Sequence, residues 1–96
     1  MTRDEIIEIL RRHMEEIRRH GVVRLAVFGS VSRGEESRNS DVDILVEFDR
    51  PIGLFAFVTL QRYLEELIGR PVDLVMPEAL RPEMRDEILA DAVYAA

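Results

Sequence analysis

Asp41 and Asp43 stand on either side of Val42 at the head of Asp-Val-Asp-Ile-Leu-Val-Glu-Phe, and Asp73 lies inside Val-Asp-Leu-Val. Residues i and i+2 of a strand point the same way and lie roughly 6–7 Å apart. Asp41 and Asp43 can therefore grip one ion or a pair of ions, and Asp73 can join them if its strand runs beside theirs. Each acid alone has an ordinary reading: a turn cap for Asp41, a partly exposed strand acid for Asp43, an arginine partner for Asp73. Together they need compensation, because an unpaired desolvated carboxylate is costly and close carboxylates raise each other's proton affinity. Three oxygen-donor acids, with no well-placed histidine and no cysteine, favour a hard cation, Mg²⁺ or Mn²⁺, over zinc. Magnesium commonly shares its shell with substrate phosphates, so the cluster implies a phosphate-bearing ligand.

Gly29-Ser30 offers that ligand a place. Glycine lets backbone approach closely after a strand, and the amides that open the following turn direct donors at an anion, with the Ser30 hydroxyl as a further donor. Arg33, in the polar loop that follows, is a candidate to reach a triphosphate, with a solvated or glutamate-paired surface arginine as its ordinary reading. Arg38 is the weaker candidate, since loop arginines commonly pair with neighbours such as Glu35 and Glu36. His13 and His20 are seven residues apart, the wrong spacing for a helical metal pair, and read as surface residues. Phe55, Phe57, Val58 and Leu60 read as core. Tyr94 has two readings, a packing residue with a wet hydroxyl or a site of self-modification.

The elements that must position these groups can be read from the same sequence. Thr2-Arg3-Asp4-Glu5 has capping-box form, and Ile6, Ile7, Leu10, Met14 and Ile17 follow at helical spacing, which predicts one helix ending near His20. Val22 to Phe28 is β-branched and bounded by glycines, hence a strand. Asp41 to Phe48 alternates as a second strand, with Val42, Ile44, Val46 and Phe48 on one face and the two aspartates on the other. Leu54, Phe57, Val58, Leu60, Leu64, Leu67 and Ile68 predict a helix stopped by Gly69 and Pro71. Val72 to Met76 is a third strand, and Pro82 opens a last helix whose Met84, Ile88, Leu89, Ala92 and Val93 face inward up to the C-terminus. The order predicts an α/β (α+β) fold, a small mixed three-stranded sheet with helices packed on it, as one domain over 1–96. Arg11, Arg12, Arg18 and Arg19 interleave with Glu8, Glu15 and Glu16 as a solvent face.

Composition narrows the chemistry. The 96 residues include no cysteine, which excludes disulfides, thiolate catalysis and Cys-ligated zinc. All 13 basic side chains are arginines, so there is no lysine for a P-loop or a Schiff base. A formal charge of −6 opposes general attraction to nucleic acid and makes a protein the expected macromolecular partner. No apolar run approaches the ~20 residues of a membrane span and the N-terminus lacks signal-peptide order, so a cytoplasmic location is expected.

Gly29-Ser30, ten intervening residues and Asp-Val-Asp match the GS-x10-DxD signature of the nucleotidyltransferase superfamily that includes DNA polymerase beta. The runs FGSVSRGE, SDVDILVEF, PIGLF and VDLV, with the segment LRPEMRDEILADAVY, further resemble the minimal nucleotidyltransferases (MNT), small partners of HEPN-domain toxins. The resemblance implies the polymerase beta-like fold and a site in which Asp41, Asp43 and Asp73 are catalytic and hold two Mg²⁺ ions, while Gly29, Ser30 and Arg33 bind the nucleotide. It further implies ATP as substrate and a HEPN RNase toxin as partner, adenylylated on a tyrosine and so neutralised, in a hetero-oligomer with the toxin. Two alternatives stand beside it: a catalytically silent antitoxin that inhibits by covering its toxin, and a nucleotidyltransferase acting on a small molecule. About twenty residues follow Asp73, little room for the added domain the latter enzymes generally carry.

Overall fold

The computed structural model describes residues 1–29 and 41–96. Four strands form one sheet in the order β3-β2-β1-β4, with β1 over Val22–Phe28, β2 over Val42–Phe48, β3 over Val72–Val75 and β4 over Val93–Tyr94. β1 runs antiparallel to both β2 and β4, and β2 runs parallel to β3. The helices are α1 (Arg3–Arg12), α2 (Met14–Arg19), α3 (Leu54–Ile68) and α4 (Pro82–Asp91), with a short 3₁₀ turn at Pro77–Ala79. The mixed α/β class agrees with the sequence reading. The strand count does not, because β4 is a fourth.

The capping box forms as its residues dictate. The Glu5 amide donates to the Thr2 hydroxyl oxygen and the Thr2 amide to the Glu5 carboxylate, each at 3.2 Å. Accepting that backbone amide, and then the Thr2 side chain, holds the Glu5 carboxyl below its ordinary range. The single N-terminal helix expected from periodicity is broken at His13. There the backbone leaves helical geometry (φ −108°, ψ 15°), and Nδ1 lies 2.9 Å from the Ile9 carbonyl oxygen. The break leaves the apolar stripe in register, since Ile6, Leu10, Met14 and Ile17 all remain buried. Arg12–Glu8, Arg19–Glu15 and Arg19–Glu16 ion pairs lace the outer face, as the charge spacing predicts.

α1, α2 and α3 cover one face of the sheet, where Leu25, Val27, Val42, Ile44 and Val46 are fully buried together with Leu60 and Leu64. The period-two pattern of β2 sends its intervening residues to the other face. That face has a smaller apolar cluster of Ala26, Phe28 and Leu45, joined by Val75, Leu80, Ile88 and Ala92. It is the face that carries the aspartates.

The last helix departs from expectation. It stops at Asp91, and Val93 and Tyr94 pair with Val27 and Ala26. The Ala95 amide continues the pairing to the Leu25 carbonyl at 2.8 Å. Of the residues expected to face inward, Ile88 and Ala92 pack, whereas Met84 and Leu89 are exposed. Phe55 is likewise not core. It is 90% exposed, and Leu54 beside it is 75% exposed, both in the first turn of α3.

Candidate active site

Three chain segments meet at one end of the sheet: the end of β1 and the beginnings of β2 and β3. In the parallel β2–β3 ladder Asp43 is the register partner of Asp73, and on its other side Asp43 faces Phe28 of β1. Adjacent strands are about 4.8 Å apart and in-register side chains share a face, so the two aspartates are immediate neighbours. Burial alternation agrees: Val72 and Leu74 are buried on the helix-covered face, and Asp73 is exposed on the opposite one. Asp41 precedes β2 at the same parity as Asp43 and is exposed, while Asp43 is half-buried.

Gly29 closes the third side. Its φ of +75° lies in the left-handed region, and a Cβ there would overlap a carboxylate oxygen of Asp43 and sit 3.2 Å from its Cγ. Only glycine meets both conditions without strain, so the backbone that leaves β1 lies directly against the Asp43 carboxylate. Ser30, Arg33 and Arg38 lie outside the described residues.

Among the described residues, no three histidine, cysteine, aspartate or glutamate side chains close around a single point. What the sheet brings together is the Asp43–Asp73 pair, with Asp41 two residues along on the same side. An all-oxygen set of this kind suits Mg²⁺, which is bound through one or two carboxylates and completes its shell with waters and phosphate oxygens. The donor set therefore fits the metal that the sequence implies.

Beside Gly29 a cavity of about 220 Å³ opens between the end of β1 and α4, lined by Phe28, Met84, Glu87, Ile88 and Asp91. It is smaller than the ~300–1,000 Å³ of a typical whole-ligand pocket.

Sequence reasoning missed two residues that shape the site. On α3, Gln61 and Glu65 reach across to Val72, immediately before Asp73. The Gln61 amide donates to the Val72 carbonyl and the Val72 amide donates to the Glu65 carboxylate, each at 3.0 Å. The available signal was a pair of polar residues four apart, adjoining the apolar stripe of a helix. The remaining candidates lie elsewhere: His13 is exposed, His20 stacks on Tyr63 at 5.4 Å between ring centroids, and Tyr94 lies on the edge strand under the Arg24 guanidinium.

The sheet thus sets a glycine turn against one aspartate of a DxD pair, with a third aspartate in register on the next strand. The nucleotidyltransferase domain model matches residues 6–95, and the chain belongs to that family. It is 45% identical over 95 residues to the protein adenylyltransferase MntA of Thermococcus cleftensis, covering 98% of this chain and 96% of the relative. A solved structure described as a minimal nucleotidyltransferase superposes with a TM-score of 0.76 at 39% identity, covering 97% of this chain and 95% of that one. The fold is shared with a chain of a solved complex of a tri-AMPylated HEPN toxin of Shewanella oneidensis with an MNT antitoxin (TM-score 0.66, 17% identity, 94% of this chain and 71% of that chain). The polymerase beta-like fold class and the minimal-nucleotidyltransferase resemblance both hold.

Proposed function

We propose that this nucleotidyltransferase is a Mg²⁺-dependent protein adenylyltransferase antitoxin, a single domain over 1–96 that moves AMP from ATP to a tyrosine of a HEPN RNase toxin and thereby neutralises it. The observation that carries the reading is the Asp43–Asp73 register pair with Gly29 backed against Asp43. Its strongest external support is the 45% identity to a protein adenylyltransferase over nearly the whole chain. The toxin as partner, and ATP as the nucleotide, rest on the names of that relative and of the MNT–HEPN complex.

In this reading Asp41, Asp43 and Asp73 are the catalytic carboxylates and metal ligands, and Gly29, Ser30 and Arg33 bind the nucleotide. Two bound Mg²⁺ ions would neutralise the leaving pyrophosphate and lower the pKa of the attacking hydroxyl. Gly29 and Ser30 would hold the β- and γ-phosphates, with the aspartates serving the reacting α-phosphorus. The tyrosine oxygen forms a bond to the α-phosphorus as the bond to the bridging α–β oxygen breaks, pyrophosphate leaves, and the phenolic proton is lost on the side of Asp73. Holding both reactants in line supplies much of the acceleration. The net charge of −6 directs the protein toward a protein acceptor and away from nucleic acid. A cytoplasmic location goes with this reading, because an RNase toxin meets its RNA there.

The test combines purified protein, Mg²⁺, α-labelled ATP and the HEPN protein encoded beside it. Label on a toxin tyrosine, lost when Asp41 and Asp43 are both replaced by Asn, supports the reading. An unlabelled toxin that the double variant still inhibits as well as wild type would establish inhibition by covering instead.

A further inference from the structure

β3 is four residues long and lies at the edge of the sheet. In a parallel ladder the N–H and C=O of one residue point the same way and alternate residues face opposite neighbours. The Val42 amide donates to the Pro71 carbonyl at 2.9 Å, so residue 71 faces β2 and Val72 faces outward. An outward-facing edge residue ordinarily leaves one donor and one acceptor to water. Here both are taken by side chains of α3: Gln61 supplies the donor and Glu65 the acceptor, one helical turn apart. The two together do for Val72 what a fifth strand would do. Glu65 also ends the helix, since its carbonyl accepts from the Gly69 amide at 2.7 Å, and Gly69 takes φ +74° to turn the chain back. Helix end, turn and strand start are thus tied to one residue immediately before Asp73.

We infer that Gln61 and Glu65 are positioning residues that clamp Val72 and so hold the Asp73 carboxylate in register with Asp43. They touch neither nucleotide nor acceptor. The catalytic part of this inference rests on the reading proposed above; the clamp itself does not. Short edge strands exchange and fray readily, and displacing a reacting group by about 1 Å can cost 10²-fold in rate. The clamp should therefore act on the step that depends on Asp73 and leave the triphosphate side, at Gly29 and Asp43, little changed.

The test compares Glu65→Ala, Glu65→Gln and Gln61→Ala in the full chain, after circular dichroism shows each folded. Hydrogen exchange at the Val72 and Asp73 amides, read by NMR, and Mn²⁺ binding with a non-hydrolysable ATP analogue, read by electron paramagnetic resonance, need no turnover. Glu65→Ala is expected to speed exchange at Val72 by about tenfold or more and to weaken Mn²⁺ binding as Asp73→Asn does. It should lower kcat for adenylyl transfer by about tenfold or more with KM for ATP within about threefold. Glu65→Gln, whose amide oxygen still accepts from Val72, should restore all of these, and Gln61→Ala should give a milder version. Unchanged exchange and Mn²⁺ binding in Glu65→Ala, or a Glu65→Gln variant as impaired as Glu65→Ala, would overturn the inference. If wild type itself transfers nothing, the enzymatic reading fails, and exchange and Mn²⁺ binding still decide the clamp.

Discussion

The two faces of the sheet solve opposite problems with the same four strands. On one, α1, α2 and α3 enclose Leu25, Val27, Val42, Ile44 and Val46, all at 0% exposure. On the other, among the described residues, Ile88 and Ala92 join a smaller cluster of Ala26, Phe28, Leu45 and Val75, and the same face carries Asp41, Asp43 and Asp73. Because strand side chains alternate, Val42, Asp43 and Ile44 belong to different worlds although they are consecutive. The closed face supplies the burial that offsets folding entropy, and the other face sets Asp43 in register with Asp73.

Neighbouring substitutions on β2 should separate the two faces most sharply. Asp43→Asn is expected to cut adenylyl transfer by about 10²–10³-fold, the scale for losing one group that stabilises transition-state charge. It should move the denaturation midpoint far less than it moves the rate, because Asp43 is only half-buried and lies outside the main core. One residue on, Ile44→Ala should do the reverse, costing about 2–5 kcal/mol in urea denaturation through a cavity in the closed face. Gly29→Ala should cost about 1–2 kcal/mol from its left-handed backbone alone. It should also lower transfer, because the new methyl displaces the Asp43 carboxylate. Phe55→Ser, at an exposed position on neither face, should change stability by less than about 0.5 kcal/mol. A larger loss would mean that Phe55 is packed after all.

How far the sequence revealed this division depended on whether local rules or distant contacts decided each element. β1, β2, β3 and α3 were legible because glycines, prolines and period-two alternation bound them. Asp41 and Asp43 were legible as a same-face pair, and Asp73 as their neighbour if the strands were adjacent, a condition the β2–β3 ladder meets. The break at His13 was not, because Leu10, Met14 and Ile17 keep helical spacing through it. β4 was not, because Leu89 to Ala96 carries no glycine or proline to end a helix. Its pairing is set by the free edge of β1, a contact nearly seventy residues away. Phe55 misled because apolar character marks a core residue only where a surface exists to cover it. The Gln61–Glu65 clamp was invisible for the same reason: its partner is backbone, and backbone positions come only with the fold.

Calorimetric titration of Mg²⁺ and a non-hydrolysable ATP analogue into wild type, Asp43→Asn and Asp73→Asn tests the aspartate face most directly. The account predicts saturable, metal-dependent nucleotide binding by wild type, weakened by about tenfold or more in Asp43→Asn and by less in Asp73→Asn. Equal binding by all three proteins, or none by wild type, would contradict it.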